Sequence, residues 1–423
     1  MEPKFDINFF GFITAFSGLG EASRNNVKAL QSQGFKVNVF DLANLELNTI
    51  FDARSINIFQ IYPQEVHDFF IRYRIETFKK SFNIAFWVWE TDDFPDEYQN
   101  CFDYFDEIWT PSSYCQAVIS KKSPVPVLNM PHAVPILTIP NAVEGIRVRL
   151  LKDRGDTFLF TSIFDISSLI FRKNVVGLIR AFKLAFGHNS KDATLLLKTL
   201  PNERFKEDRA LILKEIGDDR SVIFYEEKLK QDEVHLLLNQ IDCYISLHHS
   251  EGFGLTMAEA MGYGKLVIAT GYSGNMEFMN HTNSLLVNFE LNEITESIGP
   301  FQKGMKWADP DIHHAAYLMT KAFKGGDEID RLKSKAREQI SNYHSYAYIG
   351  RAMADRIHVI GQHIKNRVTD ETNMRLTDLR NENQLLKLKL EKLKNIGFIK
   401  LKIRFKKLKS RILGKKYKKY LWE

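Results

Sequence analysis

Two glutamates beside a glycine-rich turn are the residues best suited to chemistry in this 423-residue sequence. Glu251 and Glu259 begin and end the segment EGFGLTMAE, and Gly252 and Gly254 lie between them. An apolar run at 241–247 precedes the segment, and a helical pattern follows the glycines. Since backbone amides at a helix N-terminus attract anions, this stretch predicts a phosphate-binding crevice with two acids beside it.

A basic pair, Arg172 and Lys173, leads into a second predicted helix, shortly after the apolar run 157–164. Arginine offers a planar fork of donors and lysine a point charge, and both suit phosphate oxygens. We expect the pair to share a sheet edge with the glycine loop and to contact phosphate there. The alternative is a solvated surface pair.

Two strand ends near the N-terminus carry further candidate residues. Gly18 and Gly20 follow a predicted strand at 9–14, and Glu90 follows a predicted strand at 83–89. Ligands bind at the carboxyl ends of strands in parallel α/β sheets, which favours ligand contact at both places. The alternatives are a tight strand-to-helix turn at the glycines and a helix cap formed by the acid.

Short apolar strands that alternate with helical stretches predict βαβ units and largely parallel sheets. We predict an α/β domain at 1–140, a second α/β domain at 150–345, a helix at 346–366 that returns towards the first domain, and a tail at 367–423. After a short strand at 285–287 the second domain is expected to turn helical. The other expected strands lie at 36–40, 56–61, 107–110, 125–130, 157–164, 194–198, 221–224, 241–247 and 266–269.

No metal site is expected. The three cysteines match no metal-binding spacing, and their small number suits a reducing compartment. Asp309-Pro310-Asp311 precedes a helical pattern, which favours a helix cap over a metal-nucleotide site. We interpret His132, in a proline-rich loop, as structural, whereas Tyr225 follows a strand and is placed to contact a nucleobase.

The charge is concentrated at the C-terminus. The chain has a net charge of +6, but residues 396–423 alone carry eleven basic residues and one glutamate, so the remainder is acidic. A globular part of that kind argues against nucleic-acid binding. The basic residues of the tail alternate with apolar and aromatic ones, which suits the surface of an anionic membrane, and the alternative is a solvated tail.

Three weak heptads occupy 373–393, and they favour either a coiled coil that forms an oligomer or a docked helix. The N-terminus has no signal-peptide pattern, and no apolar run reaches the length needed to span a bilayer. We therefore expect a cytoplasmic protein that is peripheral on the inner face of the membrane.

The motifs together resemble those of the family-4 retaining glycosyltransferases, notably enzymes that build bacterial surface polysaccharides. The resemblance extends over about residues 5–360 and is most specific at the two glutamates. The segments that carry it are SGLGEASRN, FWVWETDDFP, DEIWTPSSY, FRKN, EGFGLTMAE, AMGYGKLVIAT, GYSGNMEF and WADPD. The fold that it implies is GT-B, in which two Rossmann-like α/β domains face a cleft, the first for the acceptor and the second for the donor.

The resemblance implies a metal-independent hexosyltransferase that takes a nucleoside-diphosphate sugar and transfers the sugar, with retention, to a glycan or lipid-linked glycan. Glu251 would hold hydroxyls of the donor sugar, Glu259 the ribose, and Lys173 with Arg172 the leaving diphosphate. Glu90 is the candidate on the opposite wall. The predicted donor-binding residues are Gly18, Gly20, Gly252, Phe253, Gly254, Leu255, Thr256, Glu259 and Tyr225.

Two positions depart from the family pattern. Ser168 stands where an arginine is common, so Arg172 or the other domain must supply that charge. Many members have a histidine at the end of an N-domain strand that contacts the reacting sugar. Gln60 and Glu90 stand at the comparable strand ends here, so that role is not transferred. The alternatives to an active transferase are a non-catalytic scaffold subunit of a glycan-assembly complex and a nucleotide-sugar epimerase.

Overall fold

The computed structural model describes residues 6–47, 49, 51, 55–136, 145–151, 154–367, 381–389 and 391. Met1–Ile360 form one compact unit and Gly361–Glu423 a second. Within the second unit, residues 361–367 end a helix and residues 381–389 are helical. The predicted membrane-binding tail, 396–423, and most of the predicted coiled coil lie outside the described residues.

The N-terminal domain is built on a parallel sheet of six strands in the order β2-β1-β3-β4-β5-β6. Four of these strands are buried along their whole length, as expected for a parallel sheet that is covered on both faces. The strands are β1 (Ile7–Gly11), β2 (Val37–Asp41), β3 (Ile56–Gln60), β4 (Phe82–Phe86), β5 (Glu107–Thr110) and β6 (Val127–Asn129). The helices are α1 (Gly18–Ser32), α2 (Pro63–Arg72) and α3 (Ser113–Ser120).

The C-terminal domain repeats this plan with the strand order β12-β11-β10-β7-β8-β9, and its core lies on both faces of the sheet. The order reverses between β7 and β10, and such a reversal opens a crevice at the carboxyl ends of the two strands. The strands are β7 (Phe158–Ile163), β8 (Ala193–Lys198), β9 (Val222–Tyr225), β10 (Cys243–Ser246), β11 (Leu266–Thr270) and β12 (Leu285–Val287). The helices of this half are α4 (Ile146–Leu151), α5 (Ile170–Lys173), α6 (Val175–Phe186), α7 (Lys206–Ile216), α8 (Gln231–Gln240), α9 (Leu255–Gly262), α10 (Ile312–Lys324) and α11 (Asp327–Tyr343).

Helix α12 (Tyr346–Arg367) begins by packing on the N-terminal domain. The Tyr346 hydroxyl donates a 2.7 Å hydrogen bond to Asn25 Oδ1, and the Arg356 guanidinium pairs with the buried carboxylate of Glu107. Among the described residues, no helix is both long enough and apolar enough to cross a membrane.

The helical stretch expected directly after 287 is wrong. The chain instead forms an antiparallel hairpin of β13 (Phe289–Glu293) and β14 (Lys306–Pro310) before α10 begins. A small cluster of Ile294, Phe301 and Met305 stabilises it. The expected helix cap is confirmed, since the Asp311 side chain accepts hydrogen bonds from the first amides of α10.

Four asparagines form a ladder across the N-terminal sheet, near the amino ends of its strands. Asn38, Asn8, Asn57 and Asn83 are neighbours in register, and each side chain donates to the next over 2.8–3.0 Å. The last one donates to the Phe78 carbonyl at 3.1 Å. Because a shift of one residue would break this chain, the ladder specifies the strand register.

Replacing Asn57 with alanine is expected to destabilise the protein by about 2–3 kcal/mol, because it removes one of the two hydrogen bonds that Asn8 Nδ2 donates and takes away the donor to the buried Asn83 Oδ1. The midpoint of urea unfolding measures this change. Asn44→Ala, at an exposed position with an exposed hydrogen bond, is the matched control and should change the midpoint little. Equal midpoints for the two variants would show that the ladder contributes nothing.

Candidate active site

A cavity of about 300 Å³ lies at the carboxyl ends of the strands, with walls from both domains. Gly18, Tyr62 and Glu90 line it from the N-terminal domain, and the segment 251–256 lines it from the C-terminal domain. Thus the two sheet edges that the strand-end rule selects meet at one site.

The glycine turn presents the start of α9 to this cavity. Gly254 has φ of 90°, a conformation that favours glycine, and as the helix N-cap it provides no side-chain oxygen to the first amides. The Glu251 amide is held by the Ser273 hydroxyl at 2.8 Å, which fixes the loop. The free amides and the helix dipole together suit an anion.

A buried ion cluster stands beside the turn. Glu251 pairs with Lys173 Nζ and, over 3.3 Å, with the Arg172 guanidinium, which also lies 3.5 Å from the Glu90 carboxylate. Arg172 further donates to the Ser250 carbonyl at 2.8 Å. Burial by itself would raise the pKa of Glu251, but the two cations outweigh it and lower that pKa to about 2. Two cations are therefore held at the crevice by acids from both domains.

Glu259 lies in α9 and is buried, and it forms no ion pair with any residue that the structure describes. Its Oε1 atom has no hydrogen-bond partner among the described residues, and only 3% of the residue is exposed. Burial raises its pKa well above the usual range, Glu21 adds to the shift, and Arg24 opposes it. A buried acceptor without a partner is costly, which favours a role in binding a hydroxyl donor.

Glu259→Gln is expected to raise the thermal midpoint by about 1–3 °C at pH 8, because it removes an unpaired buried carboxylate. A carboxyl whose pKa is raised by folding contributes stability below pH 4.5 and loses it as the pH rises towards the folded value. The advantage of the variant should therefore grow between pH 5 and pH 8. Glu290→Gln, at an exposed position, is the control, and the same pH dependence in both variants would contradict the assignment.

One group of side chains in the described part of the chain has the geometry of metal ligands. The ligand atoms of Glu21, His235 and Glu259 lie within 4.8 Å of one another. The Arg24 guanidinium already donates two hydrogen bonds to Glu21 Oε2, so one of the three candidate ligands is paired with an arginine side chain. The expectation of a metal-independent site stays a prediction.

Most of the predicted site residues meet in the cavity, but two do not line it. Gly20 lies under the turn, where a Cβ atom would overlap with the Ala15 carbonyl oxygen, so it is needed to form the turn. The Tyr225 hydroxyl donates to Glu227 at 3.0 Å, and the Lys198 ammonium lies 5.8 Å from its ring centroid. The predicted residues that line the cavity are Gly18, Glu90, Arg172, Lys173, Glu251, Gly252, Phe253, Gly254, Leu255, Thr256 and Glu259.

The structure adds lining residues that the sequence did not single out. Lys198 ends strand β8, and burial lowers its pKa to about 8. Tyr62 lies just after the carboxyl end of β3. His132, interpreted from the sequence as structural, also lines the cavity. Lys198 was detectable as a cation ending an apolar strand, whereas His132 carried no such signal.

Residues 160–339 match the model of the family described as glycosyl transferases group 1. The matched segment contains the basic pair, the glycine turn and both glutamates, in agreement with the resemblance found in the sequence. This chain has the GT-B fold. No curated protein sequence matches it.

Solved structures share the GT-B fold at low sequence identity. HepE from Anabaena, in complex with UDP and glucose, has 14% identity and a TM-score of 0.59, and the alignment covers 84% of this chain and 99% of that one. Sucrose-phosphate synthase from Thermosynechococcus elongatus has the same identity and coverage, with a TM-score of 0.62. A mutant of TarM from S. aureus, in complex with fondaparinux, alpha-GlcNAc-glycerol and UDP, has 15% identity and a TM-score of 0.53 over 73% of this chain. The alignment spans 57% of the TarM chain.

Proposed function

We propose that this GT-B protein is a retaining hexosyltransferase that moves a sugar from a nucleoside-diphosphate sugar to a hydroxyl of a glycan or lipid-linked glycan in polysaccharide biosynthesis. The observation that carries the proposal is the buried cluster of Arg172, Lys173 and Glu251 beside the uncapped start of α9. An uncapped helix start and two cations suit a diphosphate leaving group, and Glu259 offers a buried acceptor for ribose hydroxyls.

In the proposed reaction, the bond between the anomeric carbon of the sugar and the diphosphate oxygen breaks, and a bond from that carbon to the acceptor oxygen forms on the same face. The acceptor proton leaves with the diphosphate. Arg172 and Lys173 stabilise the negative charge that develops on the leaving group, while Glu251 holds sugar hydroxyls. Catalysis thus depends mainly on positioning and on fixed charges.

The proposed site needs no metal, because side chains supply the positive charge that a metal ion supplies in other phosphate sites. Turnover should therefore be unchanged in excess EDTA. A loss of turnover that is restored by a divalent cation would contradict this part of the proposal. Such a result would direct attention to the Glu21, His235 and Glu259 group.

Release of nucleoside diphosphate from a panel of nucleotide sugars and acceptors tests the function. We expect one donor to be turned over, with the anomeric configuration of the product equal to that of the donor by proton NMR. Binding of a donor without turnover across broad acceptor panels would favour a scaffold subunit. A new nucleotide sugar formed without any acceptor would favour an epimerase.

We also propose that the protein acts in the cytoplasm at the inner face of the membrane, through the basic segment 396–423. Deleting this segment should release the protein from anionic liposomes in a sedimentation assay. Unchanged co-sedimentation would contradict the proposal. Association through 373–393 is likewise a prediction, tested by the molar mass of the protein with and without that segment.

A further inference from the structure

His132 lies in the loop after β6, between the two halves of the active site. Its ring packs between Phe86 of the N-terminal domain and Phe253 of the glycine turn, with centroid distances of 4.9 and 5.3 Å. Only 3% of the residue is exposed, yet it lines the cavity. A ring packed between two aromatic side chains cannot turn easily, so its two nitrogens have fixed directions.

The hydrogen bonds of Asn26 determine which nitrogen of His132 carries the proton. Asn26 Oδ1 accepts from the Ala133 amide at 3.3 Å, which fixes the orientation of the side-chain amide. Asn26 Nδ2 therefore faces Gln60 Oε1 and His132 Nδ1, each at 3.1 Å. An amide nitrogen only donates, so His132 Nδ1 must accept. In the neutral ring the proton is consequently on Nε2.

The ring is neutral across the physiological range, because burial lowers the pKa of His132 to about 3. The charged groups that share its cavity include Glu90, Arg172 and Glu251. Among the described residues none hydrogen-bonds to Nε2. His132 therefore provides the cavity with a hydrogen-bond donor that does not switch with pH.

We propose that His132 Nε2–H donates a hydrogen bond to a hydroxyl oxygen of the transferred sugar and thereby selects the donor. This inference rests on the proposed function. The Glu251 carboxylate can only accept hydrogen bonds, so a sugar hydroxyl bound to it is the donor. The oxygen of that hydroxyl can then accept a second hydrogen bond. His132, packed against Phe253 two residues further on, is positioned to supply that bond from the opposite wall.

The test compares affinities for a nucleotide sugar and for its sugarless nucleoside diphosphate by titration calorimetry. The probes are UDP-glucose, UDP-galactose and UDP-N-acetylglucosamine against UDP, and GDP-mannose against GDP. The ratio of the two affinities isolates the sugar contacts, because groups that bind the nucleotide contribute to both. His132→Phe keeps a ring in place and removes the donor, and it should lower the ratio by ~10-fold while nucleoside diphosphate binding stays within twofold.

Asn26→Asp provides a second variant, in which His132 Nε2 is kept but changes from a hydrogen-bond donor to an acceptor. Gln60 Nε2 is buried without a partner among the described residues, so this side chain can turn and donate to the new carboxylate. The carboxylate draws the proton of His132 to Nδ1. At low pH the His132 imidazolium keeps its Nε2–H. The new carboxylate raises the pKa of His132, and above that pKa the neutral ring has its proton on Nδ1, so Nε2 can only accept. The affinity ratio should therefore fall as the pH rises, whereas the wild-type ratio stays flat.

His313→Phe, at an exposed position in α10, is the matched control. A ratio for His132→Phe within twofold of the wild type, or a flat pH profile for Asn26→Asp, would overturn the assignment of His132 while leaving the proposed function intact. Failure of the wild-type protein to bind every nucleotide sugar would contradict the proposed function itself, and this inference with it.

Discussion

Replacing Lys173 with alanine is expected to lower kcat about 1,000-fold, by removing one of the two cations held at the crevice. Lys173 pairs with Glu251, and burial lowers the pKa of its ammonium group. Glu251 keeps its pairing with Arg172 in the variant, so the fold should survive with a thermal midpoint near that of the wild type.

Lys191→Ala, an exposed lysine in the same domain, is the control for loss of one positive charge. Initial rates of nucleoside diphosphate release at saturating donor measure the effect. Glu251→Gln tests the other partner of the pair and should also lower turnover. If both variants leave turnover intact, the site has been assigned to the wrong residues.

Gly252→Ala is expected to lower kcat/KM about 100-fold, because the two walls of the cleft touch at this position. A Cβ atom on residue 252 would overlap with the Val88 side chain from the N-terminal domain. The Gly252 carbonyl also accepts from Ser112 Oγ at 2.7 Å and from Cys115 Sγ at 3.3 Å, so hydrogen bonds from the N-terminal domain hold this residue in place.

Val88→Ala in the Gly252→Ala background should restore most of the lost activity, since it removes the atoms that overlap. Gly274→Ala is the contrasting variant. There the new Cβ atom would overlap with the Gly252 backbone, which no side-chain change can relieve. Equal activity of the single and double variants would show that the loss has a cause other than contact with Val88.

The GT-B fold was predictable because its strands are apolar runs, which can be recognised in the sequence without knowing which strands pair with each other. β3 was expected at 56–61 and is found at Ile56–Gln60, and β11 was expected at 266–269 and is found at Leu266–Thr270. The hairpin of β13 and β14 was not predictable in this way, since most residues of Phe289–Glu293 are exposed and follow no alternation. β1 ends at Gly11, earlier than expected, because the chain turns there to pass over Gly20.

The active site was predictable where one segment carries the chemistry. Glu251, Gly254 and Glu259 lie in nine consecutive residues, and a single strand-turn-helix unit places them. His132 could not be recognised in the same way, because its tautomer is set by Asn26, which is 106 positions away in the chain. A contact of that kind exists only once the N-terminal domain has folded and has brought α1 beside the loop after β6.

A crystal structure of the protein with a bound nucleoside diphosphate would show which side chains hold the donor. We expect Lys173 Nζ to lie about 3 Å from a phosphate oxygen, the amides at the start of α9 to face the diphosphate, and Glu259 to accept hydrogen bonds from the ribose hydroxyls. A nucleotide bound away from Lys173, or a ribose that makes no contact with Glu259, would contradict this expectation.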